Sequence, residues 1–368
     1  MSLERARKAF NLEETGEFAQ FEIIEQPKFI QSVSGLDPYD CPMESYAKTY
    51  RTLDIDFVLR LPVKSYRPRT GEGNVVVDEE GNRLSRWGVA VGSIWESTLP
   101  FKTVDEVLAY DPFSCSAGEY RLVLDADPNR TVAEMAAEMQ SKLDNQRKYA
   151  GSSFLLPGAN YFVLFHYFVT TFGYELYTEA ALCYPREFEK LLDKFAELSY
   201  KLSEAWAKTD IEVFVAHDDI AMNASTIFSP DWLRKNIFPR YAEILSPLKR
   251  AGKKVIYFTD GDFRSVLGDL DTLDLDGYVF EPQNDLSMMV NRYGGRKVLM
   301  GNADVRTLTF GSEKEIRDEV ERCLSIGAGV PGYFVSVTGS IPQNIPLNNV
   351  RFYFDEISRW RTHLKSSR

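Results

Sequence analysis

The chain has 368 residues, 44% hydrophobic and 26% charged, the make-up of a globular protein with a sizeable core. Acidic residues outnumber basic ones 54 to 43, a net charge of -11, which disfavours sequence-independent nucleic-acid binding because that needs a basic footprint. No apolar run approaches the roughly 20 residues of a bilayer span, Met1 to Phe10 carry charges rather than an apolar signal core, and Cys41, Cys115, Cys183 and Cys323 form no CxxC pair, so a cytoplasmic protein with reduced thiols is expected.

Residues 56–63 read as the first strand of the main domain. Residues 74–87 read as a β-hairpin with its turn at Asp78-Glu79-Glu80-Gly81-Asn82. A strand over 121–124, a helix over 131–148 and a strand over 153–156 follow, then an aromatic segment over 161–174 that is mostly core. Phe188, Leu191, Leu192, Phe195 and Leu198 recur at helical spacing and predict a helix over 186–208. Beyond it, strands at 213–217, 254–258, 277–281, 297–301 and 332–337 alternate with helices. One of these opens at Ser229-Pro230-Asp231, runs to about Arg250 and ends at Gly252; others cover 263–270, 285–293 and 312–326, and the last starts near Pro346. Alternation with short loops predicts βα units wound in one hand around a parallel sheet. The chain divides into an N-terminal extension, 1–45, and one domain, 46–368.

Five of these apolar runs stop in polar residues: at His217-Asp218-Asp219, Asp260-Gly261-Asp262, Glu281, Asn302-Ala303-Asp304 and Ser336-Val337-Thr338-Gly339-Ser340. Polar groups at one end of successive parallel strands are how a barrel builds an active site. His217, with Asp218 and Asp219 beside it, is the candidate for acid–base work; only one of the two aspartates can face the pocket, and the sequence leaves open which. Asp262 is placed to cap a helix. Carboxylates and an imidazole on adjacent strand ends suit zinc or another divalent ion, and His217, Asp260 and Glu281 are the candidate ligands; a metal-free pocket of hydrogen-bonding acids is the competing reading. Asn302, Asp304 and Ser336 are candidates for holding a substrate, and Tyr167 for walling it.

The chain resembles the uroporphyrinogen decarboxylase-like superfamily from about residue 45 onward. The resemblance rests on Asp56-Phe57-Val58, on Asp78-Glu79-Glu80-Gly81-Asn82 leading to Trp87-Gly88-Val89, and on Pro100-Phe101-Lys102-Thr103-Val104-Asp105-Glu106. It continues in His217-Asp218-Asp219-Ile220-Ala221, Gly301-Asn302-Ala303-Asp304, and Ile341-Pro342 through Ile345-Pro346-Leu347-Asn348-Asn349. It implies a (β/α)8 TIM barrel, here with an N-terminal extension and a β-hairpin insertion.

Departures from the family pattern narrow the activity. The arginine-rich N-terminal signature that holds propionates in the decarboxylase is missing, and Arg60, Lys64, Arg67 and Arg69 are spaced differently. The zinc ligands of the coenzyme M methyltransferase branch fall at Phe258, Asp260 and Gly339, where no thiol or imidazole remains. The resemblance then implies methyl transfer from a small methylated or methoxylated substrate to a corrinoid supplied by a separate partner protein, with a homodimer as a further expectation. Decarboxylation of uroporphyrinogen or another polycarboxylate, and a ligand-binding barrel without catalysis, are the alternatives.

Overall fold

The structure is a computed structural model and describes residues 2–63, 75–77, 83–85, 101–114 and 129–366. The apolar runs form the staves of a closed (β/α)8 barrel. The first stave is Ala19–Gln20, and the second is a bridge residue, Phe57. The third is Gly158–Asn160, with the bridge residue Leu155 just ahead of it. Val213–His217, Lys254–Phe258, Gly277–Val279, Val298–Met300 and Tyr333–Val335 complete the ring. Every neighbouring pair is parallel, and Ala19 pairs with Phe334 to close the circle.

The stretch 56–63, expected to open the barrel, is thus its second stave. The true first stave is only two residues long, too short to show the period-two alternation by which strands are read. The segment 1–45 supplies this stave. It also supplies helix Ser2–Phe10, whose Ala6, Ala9 and Phe10 enter the barrel's inner cluster. The Phe10 ring lies 5.0 Å from those of both Phe57 and Phe334 and plugs the base. Below it Asp56 receives Arg5 at 2.8 Å and Arg361 of the last helix at 3.5 Å. The expected hairpin is present, Val75 pairing with Ser85 and Val77 with Arg83. Its turn at 78–82, the strand expected over 121–124, Lys64, Arg67, Arg69, Trp87-Gly88-Val89, Pro100 and Cys115 lie outside the described residues.

Alternation along each stave divides the core. Val213, Val215, Ile256, Phe258, Val279, Val298, Met300 and Phe334 fill the barrel. Phe214, Ala216, Val255, Tyr257, Tyr278, Leu299 and Tyr333 face the helices. The helix expected over 186–208 is Pro185–Ala207. The one expected from Ser229 is capped by that serine's side chain but breaks at Ile237 into Pro230–Asn236 and Phe238–Arg250. Pro239 lacks the N–H that a continuous helix would need there. The aromatic segment becomes helix Phe165–Cys183, bent at Gly173, whose φ is 78°. Among the described residues, no helix is long and apolar enough to cross a membrane.

Candidate active site at the barrel mouth

Inward parity carries straight into the chemistry. Two positions beyond Val215 stands His217, two beyond Phe258 stands Asp260, and two beyond Val279 stands Glu281. All three therefore rise from the inner face at the carboxyl ends of adjacent staves. Asp218 has the opposite parity and turns out toward the helices.

There Asp218 is fully buried, and its carboxylate accepts from the backbone N–H groups of Leu164 (2.6 Å), Phe165 (2.7 Å) and His166 (2.7 Å) and from the Tyr241 hydroxyl (2.7 Å). It binds the first turn of helix Phe165–Cys183, satisfying donors with no partner inside the helix. Burial pushes its pKa up, and these hydrogen bonds pull against that. Asp218 is therefore committed to holding a helix, which removes it from the acid–base role the sequence offered it.

Asp219 faces the mouth. Its Oδ1 lies 3.0 Å from His217 Nε2 and accepts the Asp260 N–H at 3.0 Å. Burial alone would raise its pKa, but the neighbouring His217 holds it down at about 2. Burial disfavours the charged form of His217, and Asp219, Asp260 and Asp218 outweigh it, so the imidazole's pKa is raised. The imidazole lies 3.9 Å from the Phe258 ring, nearly parallel to it, and Tyr161 covers it from another side at 4.2 Å. Desolvation of its carboxyl and the facing charges of Asp219 and Glu281 push half-buried Asp260 up to about 7.

The donor atoms of His217, Asp219 and Asp260 lie within 4.8 Å of one another. Asp260 Oδ1 and His217 Nδ1 are shielded from solvent and have no hydrogen-bond partner. Glu281 stands outside this group: its Oε2 accepts the Gly261 N–H at 2.7 Å. Asp219 takes the place in the cluster that the sequence offered to Glu281, because two positions past His217 it keeps the inward parity.

The candidate substrate groups are mostly spent elsewhere. Asn302 is buried, its Nδ2 donating to the Asn284 carbonyl at 2.9 Å while its Oδ1 accepts from Arg322 at 3.1 Å. Ser336 is buried and donates to the Val337 carbonyl at 3.1 Å. Asp304 caps helix Val305–Phe310 and pairs with Arg306 at 2.7 Å. Asp262 is likewise held by Arg264, at 2.6 Å. Tyr167 is 2% exposed and packs against Phe162 and Phe195, so it does not wall the mouth. Tyr161, 45% exposed, takes that place, and the charges of Asp219, Asp260, Glu25 and Arg60 all act on it. Its position one residue past the stave Gly158–Asn160 was the signal for it.

An inward ring of acid, imidazole and aromatic groups at the carboxyl ends of barrel staves is the layout of a (β/α)8-barrel enzyme. The sequence profile of the uroporphyrinogen decarboxylase (URO-D) family matches residues 162–360, more than half of the chain, and the chain belongs to that family. A uroporphyrinogen decarboxylase from Pelobacter propionicus is 28% identical over 139 residues, 36% of this chain and 38% of that protein's length. A methyltransferase from Methanosarcina mazei shares the fold, with a TM-score of 0.64 over 98% of both chains at 16% identity.

Proposed function

We propose that the chain is a methyltransferase of the URO-D family. It would move a methyl group from a small methylated, above all methoxylated, substrate to a corrinoid carried by a separate protein. The observation that supports this reading is the charge at the mouth. Asp219, Asp260 and Glu281 converge there, and Arg306 is paired with Asp304. Polycarboxylate decarboxylation needs several placed cations to pair the substrate's acids. An imidazole beside carboxylates suits a neutral substrate whose leaving atom gains charge as its bond breaks.

The methyl–heteroatom bond breaks with its electron pair on the heteroatom, as the methyl carbon passes to a Co(I) corrinoid. The proton of His217 neutralises the departing atom, and Asp219 holds the imidazole in the charged, correctly turned state. Tyr161, exposed beside the imidazole, would wall a small apolar group of the substrate. The name of the Methanosarcina relative agrees with this reading. The name of the Pelobacter relative keeps decarboxylation as the alternative.

The test mixes the purified chain, a corrinoid protein reduced to Co(I) and a panel of methyl ethers and methylamines, and follows the corrinoid absorbance. Methylation of the cobalt by at least one substrate is expected. Release of carbon dioxide from a polycarboxylate, with no methyl transfer across the panel, overturns it.

A further inference from the structure

We propose that His217, Asp219 and Asp260 form a binding site for one divalent cation of the zinc class, through one imidazole nitrogen and two carboxylate oxygens. Glu281 would be an outer partner and not a ligand. The same donors would bind the cation whatever reaction the mouth performs, but while it is bound His217 is a ligand and not the proton donor, and the cation would take up charge on the departing atom in its place.

Three other acids of the barrel meet counter-charges within the fold. Asp56 has Arg5 and Arg361, Asp304 has Arg306, and Asp262 has Arg264. Glu22 is enclosed by three hydrogen-bond donors. At the mouth, two carboxylates face each other, and among the described residues no arginine or lysine forms an ion pair with either. A divalent cation, two carboxylates and a neutral imidazole sum to zero charge.

Two further observations point to a ligand. Asp260 Oδ1, beside His217 and Asp219, is sealed from solvent and has no hydrogen-bond partner. Buried polar atoms normally find a partner, and a cation supplies one. The span also fits. Zinc bonds of about 2.0–2.2 Å set neighbouring donors roughly 3.5 Å apart. His217 Nε2 and Asp219 Oδ1 are already 3.0 Å apart, and the whole set lies within 4.8 Å. Three protein ligands leave a fourth position open to the mouth, the arrangement of a catalytic site. The imidazole selects against magnesium and calcium, which prefer oxygen alone, and the donor set holds no thiolate. Glu281 holds the Gly261 N–H beside Asp260, so it orients a ligand without being one.

The test uses the full chain stripped by a chelator. Zinc chloride is titrated by calorimetry, and cobalt(II) by its visible bands. One equivalent per chain is expected, with cobalt d–d bands and no thiolate charge-transfer band, and a large excess of magnesium should not displace zinc. Asp260→Asn and Asp219→Asn should each weaken zinc by more than about 100-fold, and Glu281→Gln by no more than the roughly 10–100-fold that loss of an outer partner costs. Circular dichroism checks each variant, and His217→Asn replaces any that fails to fold. Lack of saturable zinc binding, a thiolate band, or zinc binding unchanged in Asp260→Asn overturns the site. Zinc binding without methyl transfer retains the site and counts only against the proposed reaction.

Discussion

The imidazole of His217 lies flat against the ring of Phe258, 3.9 Å between centroids and 3° from parallel. Phe258 is a barrel-core residue and also the floor that sets the angle of the candidate acid. Phe258→Ala opens a cavity that costs about 3–5 kcal/mol and frees the ring to turn away from Asp219. Denaturant unfolding should show the loss of stability. Turnover should fall in the variant even at temperatures where it remains folded; turnover equal to the parent's would refute the floor role.

The two neighbouring aspartates should separate cleanly under mutation. Asp218→Asn turns an amide donor toward a cluster of donors at the start of helix Phe165–Cys183 and should cost about 1–3 kcal/mol. Asp219→Asn should cost less stability and lower turnover by about 100-fold or more. Melting temperature and turnover, measured on both variants, check this; the opposite pattern would reverse the assignment.

Glu22 makes stability depend on pH. It is fully buried and accepts from Gln20 (2.9 Å), the Tyr353 hydroxyl (2.7 Å) and the Val337 N–H (3.2 Å), yet burial outweighs these and lifts its pKa to about 8. Gln20 Oε1 is buried without a partner; with its amide turned over, that oxygen accepts a proton carried by Glu22. Between the ordinary glutamate value and about 8 the folded chain holds a proton that the unfolded chain has released. Stability should therefore fall as pH rises through that window. Glu22→Gln should flatten the slope between pH 5 and 8, and an unchanged slope would acquit Glu22.

Gly261 has φ of 74°, and a Cβ there would collide with the Met222 backbone. Gly261→Ala should cost about 1–3 kcal/mol in strain. It should also push the loop 220–226 off the rim, breaking the 2.8 Å bond from the Asp262 N–H to the Met222 carbonyl. Faster proteolytic cleavage within 220–226 is the expected signature, and parent-like cleavage would count against it.

The strands of the second half were legible because each is an apolar run ending in polar residues, and His217 and Asp260 stood out for the same reason. What was not legible depended on geometry at the residue scale. Ala19–Gln20 is too short to carry a pattern. The choice between Asp218 and Asp219 depended on where the chain leaves the stave. Asn302 and Ser336 look like substrate groups in one dimension, but Asn284, Arg322 and a neighbouring carbonyl claim them in three. Tyr161 and Tyr167 differ in exposure because one follows the stave directly and the other lies inside a helix.

Ala19 and Phe334 are paired across most of the length of the chain. As the protein is synthesised, Ser2–Phe10 and the first stave emerge early and wait for the eighth stave to leave the ribosome. Contacts of such long sequence separation form slowly, and Phe10 and Phe21, buried in the finished barrel, stay open to chaperones and to misassociation in the interval. The helix that seals the mature base thus cannot complete its packing until the last stave has been made.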